Sequence, residues 1–290
     1  MENQIWELDF YSRPILDEQQ KKLWEVLICE SPGSIDSSPE ELFQYSKFCS
    51  NKTVNSIWLR EAIEEAIASS TATPKKIRFF RRQMNNMIVK AAEEIGIIAV
   101  PSRRTYGLQQ LLEKRLEEFY PTQPGFAPAL ANTAAVQYPD QTPSPLPDAT
   151  RGDKGDKWAF VTLEAGSFQD MAEWDIAFGE NLPLTAMEIN PETKIPGLII
   201  FSPRALPFAG WLSGLEMAFL RFDGEEKAKL LLETGLSDSW ILANLTDGQT
   251  IAEAQGFEVT KAQAKGIHFL AIQSKAESES FAGFWLLKQV

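Results

Sequence analysis

The sequence predicts an α/β protein of two domains, each with a mixed β-sheet and helices packed on it. Strand-like and helix-like segments alternate through both halves of the chain, and a proline-rich stretch separates the halves. The length of 290 residues is about twice the roughly 150 residues of a typical domain. A content of 44% hydrophobic and 23% charged residues is that of a globular protein with enough apolar side chains for two cores.

The proline-rich stretch sets the predicted boundary between the domains. Residues 121–150 hold seven of the 17 prolines and contain no lysine or arginine. Proline fixes φ and removes an amide donor, which excludes a helix or a central strand here. We therefore predict a first domain at 1–120, a linker or long surface loop at 121–150, and a second domain at 151–290.

The first half opens with strands and continues with alternating helices and strands. Two strands, IWELDFYSRPI and KKLWEVLICE, form a hairpin in which the first strand is half-buried, and LFQYSKF is a short third strand. A helix over VNSIWLREAIEEAIAS follows, with Asn51 or Thr53 as its N-cap.

Three further elements complete the first half before a helix that Pro121 ends. They are a strand at IRFF, a helix over QMNNMIVKAAEEIG that Gly96 terminates, and a strand at IIAVPS. The last helix covers TYGLQQLLEKRLEEFY. A hairpin followed by α/β crossovers predicts a mixed sheet, and the order fits an RNase-H-like domain.

The second half is also predicted as α/β. SPRALPFAGWLSG is a helix with Ser202 as cap and Pro203 at its first position, and TIAEAQGFEVTKAQAKG is another helix. SFQDMAEWDIAFG is helical or irregular, and KAKLLLE is a strand or a helix. The remaining segments are strands: KWAFVTL, GLIIFS, LEMAFLRF, SWILANLT, GIHFLAIQ and GFWLLKQ.

Several classes of site are not supported by the sequence. Cys29 and Cys49 form no CxxC pair, so neither a zinc site nor a disulfide framework is predicted, and a reducing compartment fits best. The chain contains no GxxxxGK[ST], GxGxxG or GxSxG motif, and no cofactor or metal is predicted. His268, the single histidine, lies in the apolar run GIHFLAIQ and is expected to be a buried strand residue rather than a catalytic one.

The termini and the hydropathy give expectations about location. No apolar run reaches the roughly 18–20 residues of a membrane span. The start MENQIWELDF lacks the basic and apolar regions of a signal peptide and the composition of a transit peptide. The sequence therefore predicts a cytoplasmic protein without a cleaved leader.

The distribution of charge is uneven along the chain. The formal net charge is −12, yet residues 75–115, the basic segment, hold ten bases and three acids, a net of +7 that leaves −19 elsewhere. Residues 151–290 hold 12 bases and 20 acids, a net of −8. A basic segment in an acidic chain is typical of contact with a polyanion, whereas an acidic domain fits protein docking or solubility.

Within the basic segment, cationic and aromatic side chains alternate in KKIRFFRRQ and PSRRTY. Arginine and lysine neutralise phosphates, and aromatic rings and guanidinium planes stack on unpaired bases. Arg103 and Arg104 follow the strand IIAV, at the sheet edge where ligands commonly bind. Arg82 at a helix start would be stabilised by an anionic ligand. The candidate residues for contact with a nucleic acid are Arg13, Lys75, Lys76, Arg78, Arg81, Arg82, Arg103, Arg104 and Tyr106.

We expect these candidates to form one contiguous, water-facing surface. The competing interpretation is that the bases are an ordinary solvated face. Phe79 and Phe80 are expected in the core rather than as a stacking platform, and Tyr11 is a weaker aromatic candidate.

Short motifs spread over nearly the whole chain, from about residue 6 to residue 287, resemble the Tab2/Atab2 family. No single motif is diagnostic, but their order and spacing are. They are WELDFYSRPILD, LWEVLICE, KIRFFRRQM, AVPSRRT, PGFAPAL, GDKWAFVTL, PRALPFAGWLSGLE, GIHFLAIQ and GFWLL.

The resemblance implies an RNA-binding protein rather than an enzyme. The family is described as binding single-stranded, A/U-rich leader RNA and supporting translation of a photosystem I reaction-centre subunit in chloroplasts, with similar proteins in cyanobacteria. It implies RNA as the partner, together with translation machinery or photosystem I subunits. With no transit peptide in the sequence, the chain is expected to be a cyanobacterial-type member acting in the cytoplasm or a matured plastid protein, the chloroplast stroma being the compartment of plastid relatives. It fixes no individual base-contacting residue.

Two other functions remain open on the sequence alone. Glu7, Asp9 and Glu25 lie on the opening strands, as the carboxylates of a metal-dependent RNase-H-like nuclease would, although the rest of such a site is not identifiable. The acidic second half fits a protein-binding photosystem assembly factor. In it, the helix with Arg204 and Trp211 is either a packed amphipathic helix or a partner surface.

Overall fold

The computed structural model describes residues 4–131, 142–150, 155–224 and 227–289. The chain divides into two compact units, one of Met1–Pro32 with Ser38–Tyr138 and one of Gly33–Ser37 with Pro139–Val290. Each unit combines mixed β-sheet with helices, which confirms the predicted fold class.

The first unit has one five-stranded sheet in the order β3-β2-β1-β4-β5. The strands β1 to β3 pair antiparallel, and β4 and β5 run parallel to β1, which is the RNase-H-like arrangement that the element order predicts. Its elements are β1 (Ile5–Leu16), β2 (Lys22–Glu30), β3 (Gln44–Cys49), α1 (Ser56–Ser69), β4 (Lys76–Phe79), α2 (Asn85–Glu93), β5 (Ile98–Pro101) and α3 (Tyr106–Lys114).

The apolar core of the first unit lies between one face of this sheet and helices α1 and α2. Trp6, Leu8 and Phe10 alternate along β1 and pack with Leu59 of α1 and Ile88 of α2. Phe79 and Phe80 are buried, as expected.

The expectation that β1 is half-buried is wrong. Glu7 and Asp9, on the face opposite the apolar core, are 0% and 1% exposed. Both faces of β1 are therefore covered.

Three helix ends in the first unit differ from the sequence prediction. The N-cap of α1 is Asn55, whose side chain accepts a hydrogen bond from the Trp58 amide at 2.9 Å, rather than Asn51 or Thr53. A 3-10 turn at Arg82–Met84 precedes α2. Helix α3 continues into a π-helical turn, Arg115–Phe119, and then into a 3-10 turn that contains Pro121. The π-helical turn changes which side chains face the sheet.

The second unit contains two sheets, in the orders β10-β11-β12-β6 and β7-β9-β13-β14-β8, where one was predicted. Its strands are β6 (Ser144–Pro145), β7 (Lys157–Glu164), β8 (Ile176–Glu180), β9 (Lys194–Phe201), β10 (Met217–Asp223), β11 (Lys229–Thr234), β12 (Asp238–Asn244), β13 (Ile267–Gln273) and β14 (Phe281–Lys288). Its helices are α4 (Ala205–Ser213) and α5 (Gly248–Gln263).

Several ambiguous segments of the second half take a definite structure. KAKLLLE contributes β11, because pairing with β10 and β12 buries Leu230–Leu232. SFQDMAEWDIAFG divides into the 3-10 helix Ala165–Glu173 and strand β8. Helix α4 begins at Ala205, so Pro203 precedes it, and the Ser202 hydroxyl accepts a hydrogen bond from the Arg204 amide at 3.1 Å.

The described part of the proline-rich stretch consists of turns, short 3-10 helices and β6. The 3-10 helices after Pro121 are Pro128–Leu130 and Asp148–Thr150, and residues 132–141 lie outside the described residues. Strand β6 is at the edge of its sheet, where a proline is tolerated.

His268 is a structural residue of β13, as predicted. It is fully buried, its Nδ1 donates to the Gly266 carbonyl at 2.9 Å, and its Nε2 accepts from the Leu220 amide at 2.8 Å. Burial, helped by the charge of Lys261, lowers the pKa of His268 to about 3. The imidazole therefore stays neutral and joins β13 to β10.

Gly197 in β9 makes room for an aromatic ring. It pairs with Phe269 of β13, and a Cβ atom at residue 197 would lie 2.2 Å from Cζ of that ring. The Phe269 ring is fully buried and stacks on Phe284, with 5.1 Å between centroids. Only glycine fits at residue 197 without moving this stack.

Across the described ranges, none of the helices has the length and apolar character needed to span a bilayer.

Candidate functional site

A buried polar cluster covers the face of the first sheet opposite the apolar core. The two-residue period of β1 places Glu7, Asp9 and Arg13 on this face. Paired residues of neighbouring strands project from the same face of a sheet. Glu25 of β2 pairs with Tyr11, which follows the same two-residue period, and Arg78 of β4 pairs with Glu7, so Glu25 and Arg78 also lie on this face. The sheet therefore brings three carboxylates and several guanidinium groups together.

Asp9 is held by two arginines. Its Oδ2 accepts from Arg13 at 2.8 Å, and Nε of Arg81 donates to its Oδ1 at 2.5 Å. Burial raises the pKa of Asp9, but the charges of Arg13 and Arg81 outweigh that effect and lower it below its usual value. Asp9 is thus an ionised partner for both guanidinium groups.

Glu25 has three donors, two of which come from the end of α3. Nε of Arg13 donates to it at 2.7 Å and the Tyr120 hydroxyl at 2.5 Å. Arg115 donates to its Oε1. The π-helical turn begins at Arg115 and ends directly before Tyr120, and its wider turn lets both side chains reach Glu25.

Glu7 binds the beginning of α3. Its Oε2 accepts from the Leu108 amide at 2.8 Å, and its Oε1 accepts from the Ser31 hydroxyl at 2.7 Å. Burial raises the pKa of Glu7 to about 7, even though these hydrogen bonds and the charges of Arg78 and Arg104 act in the opposite direction. The carboxyl group therefore titrates near neutral pH.

Aromatic rings cover the arginines of this cluster. The guanidinium carbon of Arg81 lies 3.9 Å from the ring centre of Tyr11 and 4.9 Å from that of Phe80. Arg115 lies 4.0 Å from the ring centre of Phe119. These cation–π contacts, together with the ion pairs, fix the orientation of both guanidinium planes.

The structure places six of the nine predicted RNA-binding residues in two regions. Arg81 and Arg82 follow β4, and Arg103 and Arg104 follow β5. The two segments are adjacent, because the Ser102 amide donates to the Phe79 carbonyl at 2.8 Å. They lie at the carboxyl ends of the parallel strands, as predicted for Arg103 and Arg104.

Lys75 and Lys76 lie at the opposite end of β4. Lys75 donates its amide to the Gln4 carbonyl at the start of β1. The two lysines therefore do not join the arginines in one patch.

The expectation of one water-facing surface is wrong for most of the candidates. Arg82 and Lys75 are exposed, and Lys76 is half-buried. The side chain of Arg81 is 11% exposed. The buried candidates are Arg13, Arg78, Arg103, Arg104 and Tyr106. For Arg13 and Arg81 the physical reason is that Asp9 and Glu25, on β1 and β2, supply ion-pair partners, which a count of charges in one segment does not reveal.

Sequence reasoning missed Arg115 and Tyr120 as members of the cluster. The usable signal was the acids on the two opening strands, since buried carboxylates require cationic or hydroxyl partners. Those acids were considered as metal ligands and not as counter-charges for arginine.

The carboxylates of the cluster are occupied by protein donors. Both oxygens of Asp9, Glu25 and Glu7 accept hydrogen bonds from side chains or amides. Among the described residues, no group of three or more histidines, cysteines or acids is arranged to hold a metal ion. The arrangement of these carboxylate oxygens fits guanidinium and other hydrogen-bond donors better than a divalent cation.

The raised pKa of Glu7 predicts a pH-dependent stability. The folded-state pKa of about 7 lies above the ordinary value of 4.5, so between these values the folded state binds more protons than the unfolded state. The contribution of Glu7 to the free energy of unfolding then falls as the pH rises through this window, by roughly 3 kcal/mol in total.

The measurement is the difference in free energy of unfolding between the wild type and Glu7→Gln. Taking the difference cancels His268, whose lowered pKa changes stability in the opposite direction between about pH 3 and 6.5. The difference should decrease from pH 4.5 to 7.5. A pH-independent difference would contradict the assignment.

The solved structures that match the chain include the catalytic core domains of two retroviral integrases. That of HTLV-2 matches with a TM-score of 0.27 and 14% identity, over 44% of this chain and 79% of the integrase chain. That of BIV integrase matches with a TM-score of 0.25 and 10% identity, over 47% and 88%. Likeness at this level says nothing further about the chain.

Two curated plant proteins are far more similar. "Protein TAB2 homolog, chloroplastic" of Zea mays is 36% identical, over 97% of this chain and 70% of the maize protein. The protein of the same name from Arabidopsis thaliana is 37% identical, over 97% of this chain and 74% of its own length.

The family models agree with these relatives. The model "RNA-binding protein Tab2/Atab2 N terminal" matches residues 5–115, and "RNA-binding protein Tab2/Atab2, C-terminal domain" matches residues 133–288. Together with the plant relatives, they show that the chain belongs to the Tab2/Atab2 family.

Proposed function

We propose that the chain binds single-stranded, A/U-rich leader RNA and thereby supports translation of a photosystem I subunit. Its membership of a family described as RNA-binding supports this function. The structural observation that carries the proposal is the group of cationic and aromatic side chains at the carboxyl ends of β4 and β5. We place the RNA contact there.

The arginines of this region have two different roles in the proposal. Arg82 is exposed and begins the turn that leads into α2. A phosphate at this position gains the charge of Arg82 and the partial positive charge of the helix amides. Arg81 is ion-paired and offers little net charge.

Arg81 instead orients Tyr11. The Tyr11 ring lies on the guanidinium plane of Arg81 and is half-exposed. A ring held in this way is a suitable partner for an unpaired base, because stacking then costs little conformational entropy. In the proposal, Asp9 and Arg81 position the ring, Tyr11 stacks, and Arg82 contacts phosphate.

The test is the affinity for an A/U-rich leader RNA, measured by filter binding or fluorescence anisotropy. We expect Arg82→Ala to weaken binding about tenfold and to reduce the salt dependence by about one phosphate contact. Arg81→Ala combined with Arg82→Ala should weaken it further. Circular dichroism checks that each variant is folded.

The matched control is Lys52→Ala, which removes an exposed base from the turn between β3 and α1. It should bind as the wild type does. If Arg82→Ala binds RNA as tightly as Lys52→Ala, the placement of the contact at the end of β4 is refuted.

We further propose that the chain is a non-catalytic RNA-binding protein. The ion pairs and hydrogen bonds on Glu7, Asp9 and Glu25 support this, since these are the carboxylates that the sequence offered as candidate metal ligands of a nuclease. Labelled RNA incubated with the protein and magnesium or manganese should remain uncut. Cleavage that disappears in Asp9→Asn would instead establish the nuclease alternative.

We place this activity in the cytoplasm of a cyanobacterium. The plant relatives carry "chloroplastic" in their names, and the plastid stroma is the equivalent compartment for them. Translation machinery and photosystem I subunits are the protein partners that this function would require.

A further inference from the structure

A surface groove in the second unit has an acidic end and an apolar end. Two adjoining depressions, of about 860 and 340 Å³, form it and share Asp175, Ser280 and Phe281. The groove lies between the beginning of β8, the beginning of α4 and the loop that leads into β14. Its two ends have different chemistry.

The acidic end carries four carboxylates around two aromatic rings. They belong to Glu173, Asp175, Glu277 and Glu279, and all four residues are exposed. Among the described residues, none of these four acids has an ion-pair partner, and the ion pairs of Glu233 and Glu258 lie elsewhere in the unit. The negative charge of the groove is therefore available to a ligand from outside.

Trp174 and Phe281 form the floor at this end. Their ring centroids are 5.9 Å apart, and Trp174 packs on its inner side against Phe284. Both residues are half-buried, so part of each ring faces the groove. Aromatic faces surrounded by carboxylates attract lysine and arginine side chains more strongly than they attract neutral side chains.

The apolar end is formed by the first turn of α4. Leu206 is 57% exposed, which is unusual for a large aliphatic side chain in this structure. Pro203 and Pro207 lie beside it, with Ala177 of β8 and Ala282 of β14 opposite. An exposed apolar strip next to a polar rim is typical of a protein-binding surface.

We propose that this groove binds a peptide segment of a partner protein in which basic residues adjoin an apolar side chain. The basic residues lie between the carboxylates over Trp174 and Phe281, and the apolar side chain covers Leu206. Charge complementarity selects this occupant, because the acidic end disfavours RNA and acidic peptides. The inference concerns the second unit and does not depend on where RNA binds.

The experiment uses the full chain and an array of octapeptides. The test peptides combine two lysines or arginines with one leucine, isoleucine or phenylalanine at every spacing. Control peptides lack either the basic or the apolar residues. We expect peptides with both features to bind most strongly. Their affinity, measured by fluorescence anisotropy, should fall by roughly tenfold or more between about 50 and 500 mM salt, because salt screens the ion pairs that hold the basic residues.

Two variants locate the binding. Leu206→Asp should weaken the binding of the best peptide by about tenfold or more. Because an aspartate is favourable in the first turn of a helix, the substitution should leave the fold intact. Glu277→Lys with Glu279→Lys should abolish the salt-dependent part of the binding. Thermal unfolding confirms that both variants are folded.

The control for Leu206→Asp is Val259→Asp. Val259 is 60% exposed on α5, so both variants place a carboxylate at a similarly exposed apolar position. Glu253→Lys, an exposed acid of α5, is the control for the charge reversal. Equal losses in test and control variants, or binding that requires only the basic residues, would overturn the proposal. So would failure of every peptide in the array to exceed the control peptides.

Discussion

Glu25→Ala is expected to destabilise the first unit by about 3–5 kcal/mol, the usual cost of leaving a buried charge without its partner. Glu25 is fully buried and accepts from Arg13, Arg115 and Tyr120. Its removal leaves two guanidinium groups and a hydroxyl without that acceptor. The measurement is urea-induced unfolding followed by circular dichroism, in which the transition of the first unit should move to lower urea by roughly 1–3 M.

Two further variants make this result specific to the ion pairs. Glu25→Gln keeps the shape and one acceptor, so its effect should be intermediate. Glu61→Ala removes an exposed carboxylate on α1 and should leave the transition where it is in the wild type. A transition in Glu25→Ala that coincides with the Glu61→Ala transition would mean that the cluster contributes little to stability.

Gly197→Ala is the second substitution for which we expect a large effect. It should lower the free energy of unfolding of the second unit by about 3 kcal/mol or more, which is the upper end of the range for overpacked cores. The added methyl group would meet the ring of Phe269 at 2.2 Å. That ring cannot turn away freely, because it stacks on Phe284 and contacts Phe168 edge-on. The measurement is again urea-induced unfolding, now in the transition of the second unit.

The same substitution at Gly256 should raise the free energy of unfolding instead of lowering it. Gly256 lies within α5, and a Cβ atom there would meet nothing within 4 Å. Replacing a helical glycine with alanine in open space stabilises by about 0.5–1 kcal/mol. If both glycine variants unfold alike, the ring of Phe269 has moved aside, and close packing does not explain Gly197.

Local patterns were sufficient to predict most elements of the first unit. The alternation in IWELDFYSRPI, the helical spacing in α1 and the order of hairpin and crossovers led to the five-stranded topology. Gly96, whose φ is +74°, terminates α2 as its position suggested. In the second half, strand β8 was missed because Ile176–Glu180 is short, contains a glycine and directly follows a 3-10 helix.

Long-range pairing limited what could be predicted about the sheets and the site. Strand β9 lies between β7 and β13, and no local pattern reveals that neighbours so distant in sequence are paired. Arg81 and Asp9 are 72 residues apart, and Arg115 and Glu25 are 90 residues apart. The arginines were therefore identified as a charged segment, but their burial depends on a register that only the fold supplies.

The guanidinium groups that neutralise Asp9 and Glu25 are covalently attached to the same chain as the carboxylates. A divalent cation held between acids can be withdrawn by a chelator or lost on dialysis, whereas a tethered counter-ion cannot leave. The electrostatic balance of this sheet face is thus independent of the free magnesium level around the protein.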